Sequence, residues 1–457
     1  MKNKTPKRIY IIITSIILLL IIPVIIFVIL LNNQKPDSAS EKIIREIAAE
    51  QLNKDPNELT KEDFSEITEL YISSKKLSDI RLLKQFQNME KLQFNDIETI
   101  EVPVPKWMEI LAKLRIVDIT KRNSLDLSPL KKLDKLKEFS LVNTEIKSIE
   151  PLSGLRNLDT LYLMYTSVSD LNPLKKMKNL QKFSLCGTSF RDIEPIKHLK
   201  NLKTLTLSDT KCTDLEPIKE LSNLEFLNLQ NTKVVDLEPI KGLTNLDTLI
   251  LYRTPVSDLR PISELTNIRI LVLNNSNVYD LSPVKNMTSL MELDLENTQV
   301  TDLAPIENLT NMKRLRIQNT KIFDLGPIKG LKKLETLNCF SSKVSDLQPL
   351  KELDSLKYLD LSNTHVHDLE PLKELISLED INLCQTKVED LSPLKRLINL
   401  RYLLLSGTLI SDLEPLKELK NLKILNIDNC PNIIDKQVDD LRKALTDLAI
   451  ATRGDDE

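Results

Sequence analysis

Prolines recur every 22 residues, at 129, 151, 173, 195, 217, 239, 261, 283, 305, 327, 349, 371, 393 and 415, with no insertion or deletion between them. A period held so strictly marks a repeat array, and it limits the fold more than any local propensity does. One copy, Leu224 to Asn245, reads LEFLNLQNTKVVDLEPIKGLTN. Across copies the pattern is LxxLxLxxTx(V/I)xDLxPLxxLxN, with positions numbered 1 to 22.

Each column has a physical reading. Positions 1, 4 and 6 (Leu224, Leu227, Leu229) point inward, and the alternation at 4 and 6 predicts a short strand. Position 9 is Thr in most copies and Ser at Ser276 and Ser342, a hydroxyl able to satisfy backbone groups as the chain turns. Position 13 is Asp, as in Asp170, Asp192 and Asp214, three residues before the proline. An aspartate can accept a backbone N–H at the start of a tight helical turn, and proline fits the first turn because its missing donor costs little there. One copy cannot bury its own apolar side. Stacked copies share a continuous core, which predicts a solenoid with a parallel sheet along an inner, concave face and short helical or 3-10 turns on the convex face.

The pattern resembles the 22-residue leucine-rich repeat of bacterial internalin-like proteins, over roughly Ile67 to Leu422. A eukaryotic phosphatase regulatory subunit is similar in its short repeats. The resemblance implies a leucine-rich repeat solenoid that recognises a protein partner. Two departures stand out: Thr replaces the family's usual Asn at position 9, and no LPxTG-type sorting motif is present. Surface attachment as in internalins therefore does not carry over.

The ends differ from the array. Residues 9–31, IYIIITSIILLLIIPVIIFVILL, carry no charge. At ~1.5 Å per residue they reach ~35 Å, enough to span a bilayer, and the expectation is one uncleaved transmembrane helix. Lys2, Lys4, Lys7 and Arg8 crowd its N-terminal side, so the positive-inside rule places residues 1–8 in the cytoplasm and the repeats outside. A linker (32–40) would lead to a helical cap (41–66), with Ile44, Ile47, Ala48 and Leu52 at helical spacing and Thr60 capping toward Asp63. About 16 copies would fill 67–421, the second of them longer and containing EVPVPKW (101–107). The segment 422–457 would supply a last strand, a closing helix with Val438, Leu441 and Leu445 inward, and a charged tail.

Chemistry is hard to find. Seven glycines leave no phosphate-cradling loop, and the net charge of −3 gives no field for nucleic acid. His365 and His367 flank an inward Val366 and read as surface-turn residues rather than a metal site. Cys212, Cys339 and Cys430 fall in inward columns, while Cys186 and Cys384 share position 7, nine copies and ~43 Å apart, too far for a disulfide. Five unpaired thiols point to a reducing or anaerobic setting, or to a cytoplasmic bulk. Arg453-Gly454-Asp455 is an integrin-type tripeptide, read here as coincidence in a charged tail. No cofactor, metal or catalytic constellation is expected, nor room for a separate catalytic domain.

The sheet's solvent-facing columns, positions 3, 5, 7 and 8, are mostly polar, but LILYRT (249–254) breaks that rule. Phe226, then Ile250 with Tyr252 and Arg253, then Ile270 with Val272 form an apolar patch edged by an arginine. Tyr162, Met164 and Tyr165 form a smaller cluster three strands earlier. Clustered exposed apolar area tends to mark an interaction site, and aromatic-plus-arginine composition is typical of energetic anchors. Cross-strand packing without a partner is the other reading. Glu292, Asp294 and Glu296 precede Arg314 and Arg316, which at equal register would pair Glu292 with Arg314 and Asp294 with Arg316. The expected role is a membrane-tethered scaffold binding a protein, peptide or envelope polymer; the alternative is a cytoplasm-facing adaptor docked on an enzyme.

Overall fold

The structure, a computed structural model, describes residues 38–73, 77, 79–95, 125–146 and 148–452. Seventeen strands form one sheet, numbered β1 (Glu69–Ser73) to β17 (Ala449–Ala451), each pairing in parallel with the next in chain order. From β6 (Thr204–Thr206) onward through β16 (Ile424–Asn426) neighbouring strands align position for position, as the constant period requires. Leu224, Leu227 and Leu229 are fully buried, and so are their counterparts in the other regular copies. Opposite the sheet, short 3-10 turns such as Glu216–Ile218 and Glu238–Ile240 carry the proline at their start.

Three polar columns close most copies. Thr232 Oγ1 donates to the Leu229 carbonyl at 2.7 Å, and the same bond recurs at Thr254, Thr298 and Thr320. The bond stays inside its own copy, between positions 9 and 6. Asp236 Oδ1 accepts the Glu238 N–H at 2.8 Å, satisfying a donor at the mouth of the 3-10 turn as the aspartate column implied. The third column, Asn at position 22, works between copies. Asn245 Nδ2 donates to the Ser222 carbonyl at 2.8 Å, with equivalents at Asn223, Asn267 and Asn311. Where it is present it ties a turn to the one before it; Ser289, Lys333, Ser355 and Ser377 hold that position in other copies.

Position 8 holds a feature that the consensus hid. It lies in the left-handed region in every regular copy, with φ between 48° and 71°. Asn143, Asn231, Asn275, Asn297, Asn319, Asn363 and Asn429 fill it, with Asp209, Gly187 and Gly407. These are the residues that tolerate such a backbone. Tyr165, Arg253, Ser341 and Gln385 are the exceptions.

The N-terminal cap is two helices. α1 (Ser38–Leu52) includes three residues ahead of the expected boundary at 41 and buries Ile44, Ala48 and Ala49, while Ile47 and Leu52 pack at its margin. α2 (Lys61–Glu66) begins in a capping box: Thr60 Oγ1 accepts the Asp63 N–H at 3.3 Å and Asp63 Oδ2 accepts the Thr60 N–H at 2.8 Å. β2 (Lys91–Asn95) pairs directly with β3 (Glu138–Val142). The intervening 96–124, with EVPVPKW, lies outside the described residues, as do 1–37 and the tripeptide at 453–455.

At the far end α3 (Asp435–Ala444) buries Val438 and Leu441, and Leu445 follows them inward. The chain then departs from a charged tail. Residues 449–451 add a parallel strand to β16, because Leu448 and Ile450 have apolar area to bury and β16 would otherwise end the sheet. Among the described residues no helix is long and apolar enough to cross a membrane; the span expected at 9–31 lies outside them.

The asparagine column yields a test. Asn245→Ala should cost about 1 kcal/mol in chemical denaturation, and Asn245→Asp, which keeps the shape but cannot donate, should cost a similar amount. An unaltered Asp variant would mean that the inter-turn bond contributes nothing.

Candidate functional site

β7 (Phe226–Asn228), β8 (Thr248–Ile250) and β9 (Ile270–Val272) place the apolar patch on the open side of the sheet. Phe226, Ile250, Tyr252, Ile270 and Val272 are all half-buried, and Arg253 is exposed. Alternation alone decides this: Leu227, Leu249 and Leu271 between them face the core at zero exposure. Ile250 pairs directly with Val272. Phe226 and Ile270 do not touch in register, because Thr248 stands between them. Thr248 is nonetheless only 7% exposed, although it points outward, whereas Thr204 and Thr336 at the same position are half-exposed. Thr160, at the same position between Glu138 and Lys182, is as buried at 6%, and in both residues the hydroxyl lies on the preceding aspartate, Asp159 or Asp247.

Arg253 and Tyr252 form its edge. The Arg253 guanidinium lies 5.0 Å from the centroid of the Tyr252 ring, within cation–π range. Arg253 does this from the left-handed position 8, at φ 53°. Neighbouring copies use that position for side-chain bonds, as in Asn231 to Asp209 at 2.8 Å and Asn297 to Asn275 at 3.2 Å. An arginine there carries backbone strain of about 1 kcal/mol or more, and such strain gathers at functional sites.

The smaller cluster has the same habit. Tyr162 and Met164 lie on β4 (Thr160–Met164), and Tyr165 follows in the left-handed conformation at φ 54°. Its ring covers Gly187 so closely that a Cβ there would meet it at 2.2 Å. Gly187 suits the place twice, for its φ of 69° and for the room it leaves that ring. Polar β5 (Lys182–Ser184) and β6 separate this cluster from Phe226, so the two patches are distinct.

The charged rim is self-paired. Arg314 binds Glu292 through Nε at 2.8 Å and through Nη2, while Arg316 Nη1 reaches Glu292 at 2.7 Å and Asp294 at 3.6 Å. Both arginines thus converge on Glu292, closer than the one-to-one pairing expected from register. Glu292 is 13% exposed, and burial pushes its carboxyl up, but the hydrogen bonds from Arg314 and Arg316 outweigh that and hold it below the usual range. Asp294 is the opposite case. Burial raises it, and the Glu296 N–H and Arg316 compensate only in part.

The remaining reactive groups are quiet. Burial pushes the Cys212 thiol up to about 11 and raises Cys339 too, which keeps both as thiols at neutral pH. All five cysteines are free. His365 and His367 are exposed, and among the described residues no group of His, Cys, Asp and Glu could hold a metal ion.

A family profile described as leucine-rich repeats, in two-copy units, matches residues 134–176, 178–220 and 354–396. No curated protein matches the chain. Among solved structures, an internalin (InlF) from Listeria monocytogenes is 24% identical, with TM-score 0.54, covering 86% of this chain and 97% of that one. A leucine-rich repeat protein of Leptospira interrogans is 22% identical, with TM-score 0.62 and the same coverage of 86% and 97%. A plant peptide hormone receptor, RGFR1, solved in complex with RGF2, is 18% identical, with TM-score 0.54, covering 82% and 66%. The chain carries leucine-rich repeats, and its structural neighbours include bacterial internalin-like proteins.

Asp294 supplies a pH test. The folded state binds its proton more tightly than the unfolded chain does, so its stabilising contribution is full below the ordinary aspartate range and is lost as pH rises through the folded value. Asp294→Asn should therefore raise the unfolding temperature at pH 7, an advantage that disappears below the ordinary aspartate range. A variant less stable than wild type at pH 7 would mean that Arg316 attraction exceeds the burial penalty.

Proposed function

We propose that the chain is a recognition scaffold that binds a protein or peptide through the open face of its sheet, at Phe226, Ile250, Tyr252, Arg253, Ile270 and Val272. A scaffold role follows from leucine-rich repeats, whose rigid parallel sheet offers a broad surface. One observation carries the site: Phe226, Ile250, Ile270 and Val272 cluster on three adjacent strands of the open face, with Ile250 paired to Val272, and the edge of the cluster is a strained Arg253 stacked on Tyr252. Isolated exposed apolar residues are ordinary, whereas a clustered set with an aromatic–arginine edge is not. A plant peptide hormone receptor of the same fold is compatible with a peptide as partner. Tyr162, Met164 and Tyr165 offer a secondary contact, and the Glu292, Asp294, Arg314 and Arg316 rim orients the partner.

The scaffold is tethered to the cell membrane through residues 9–31, with the N-terminus cytoplasmic and the repeats outside. An uncharged run of that length and the basic residues before it support this reading. The five free cysteines favour the reverse orientation, in which the repeats face the cytoplasm as an adaptor for an enzyme. A phosphatase-type reporter fused after Glu457 separates the two: activity in intact cells supports the outside reading, and its absence beside an active cytoplasmic reporter rejects it.

Tyr252→Ala should weaken partner binding by about 2 kcal/mol, some thirtyfold, while leaving thermal unfolding nearly unchanged. Binding is read by titrating the isolated partner. Unaltered affinity would reject the site, and a large loss of stability would assign these side chains to the fold.

A further inference from the structure

A second surface lies near the C-terminal end of the sheet, on the same open side. β13 (Tyr358–Asp360), β14 (Asp380–Asn382), β15 (Tyr402–Leu404) and β16 run in register. One row across them reads Tyr358, Asp380, Tyr402, Ile424; the next reads Asp360, Asn382, Leu404, Asn426. Asp380 thus stands between two tyrosines, whose strands are ~10 Å apart at the usual interstrand spacing. That leaves a slot about one side chain wide above the carboxylate. Ile424 is exposed and Leu404 half-exposed, so an apolar shelf adjoins the slot.

The carboxylates here differ from those of β10 (Glu292–Asp294). Glu292 has two arginines built against it. Asp380 has no hydrogen bond or ion pair from its side chain among the described residues, and it is half-buried. Asp360, beside it, is 7% exposed and accepts from the Ser362 N–H at 2.9 Å and hydroxyl at 2.5 Å and from the Tyr358 hydroxyl at 3.4 Å, none of them a cation. Two arginines of nearby strands are committed elsewhere. Arg316 is bound to Glu292, and Arg401 lies over the Tyr402 ring at 5.8 Å while pairing with Glu379 at 3.8 Å. Burial, followed by repulsion from Asp360, raises the Asp380 carboxyl. A buried carboxylate and a half-buried one close by, the latter flanked in register by Tyr358 and Tyr402 and neither paired with a cation, make a surface whose complement is a positive charge with an apolar stem.

We infer that this face docks a polypeptide segment that lays a lysine or arginine side chain between Tyr358 and Tyr402, its cation on Asp380 and Asp360 and its apolar neighbours on Leu404 and Ile424. The inference rests on the reading of the open face as a polypeptide-binding surface, and it assigns a basic residue to the partner. The rings contribute through their electron-rich faces, and the carboxylates contribute through charge-assisted hydrogen bonds. A purely apolar segment would leave Asp380 desolvated and unpaired, so the site discriminates against it.

The test selects a random dodecapeptide phage library against the full-length chain held in detergent. Wild type should enrich peptides with Lys or Arg at one fixed position flanked by apolar residues. The selected peptides should bind about tenfold more weakly to Asp380→Asn and to Tyr402→Ala, and equally weakly when the basic residue becomes norleucine. Thermal melts confirm that the variants are folded, and Asp380→Asn keeps the side-chain shape. Tyr252→Ala separates this site from the apolar patch. Loss on Asp380→Asn with Tyr252→Ala unaffected supports the basic-residue site whatever the fate of the patch, and the reverse overturns it while leaving the patch standing. No enrichment, enrichment without a fixed basic residue, or full displacement of the peptides by spermidine alone would also overturn it.

Discussion

Equal length is the constraint on which the rest depends. Each regular copy must return to the start of the next strand after the same path, because its inward leucines and its polar columns have to meet their partners, the asparagine and threonine columns in most copies and the aspartate column throughout the regular array. The Thr232 hydroxyl closes the exit from the strand, Asp236 opens the 3-10 turn, and Asn245 bonds back to the previous turn at Ser222. A single extra residue would misplace all three and rotate the inward leucines as well. Buried or turn-bound polar groups without partners cost more than the made bonds contribute, so selection on length is stronger than selection on any single bond. Ser276 and Ser342 show where the column is loosest. They occupy position 9, are buried, and have no partner for their hydroxyls, since serine lacks the methyl group that helps fix threonine's rotamer.

How legible this was depended on whether side chain or backbone held the information. The strand and turn columns could be read directly, because alternation, Asp and Pro each have one physical meaning at that spacing. The Thr60 cap with Asp63 was equally plain. The left-handed position 8 was not, although its run of asparagines was in view: a preference spread over Asn, Asp and Gly makes no consensus letter, and only the backbone shows what they share. The closing strand at 449–451 escaped for a different reason. Its three residues are too few for a period, and it forms because β16 offers an edge. Within the site, the pairing of Ile250 with Val272 followed from register alone, but the stacking of Arg253 on Tyr252 did not, since Arg253 reaches the ring from the left-handed backbone of position 8. The tyrosine–aspartate row of β13 to β15 was present in the columns, but only the side-chain contacts distinguish a matched carboxylate from an unmatched one.

A solenoid separates the residues that hold it from those that face solvent. The inward columns are nearly invariant along the array, while the open face changes from strand to strand: apolar at β7 to β9, self-neutralised at β10 and β11 (Arg314–Arg316), acidic and aromatic at β13 to β15. Two of those departures carry a local cost. Arg253 holds a strained backbone, and Asp380 keeps an unpaired, partly buried charge. Neighbour-only coupling lets the array absorb such costs, because a weakened copy does not disturb distant ones. Recognition chemistry can therefore vary along the sheet without renegotiating the core.

Hydrogen–deuterium exchange on two deletions tests the dependence on equal length most directly. One variant removes a whole copy, residues 312–333, and the other removes Phe323 alone. Equal path length predicts that the whole-copy deletion leaves amide protection in the flanking strands as it was, whereas the single deletion abolishes protection in its own copy and its immediate neighbours. Protection retained after losing Phe323 alone, or lost in the flanking strands after clean removal of one copy, would contradict it.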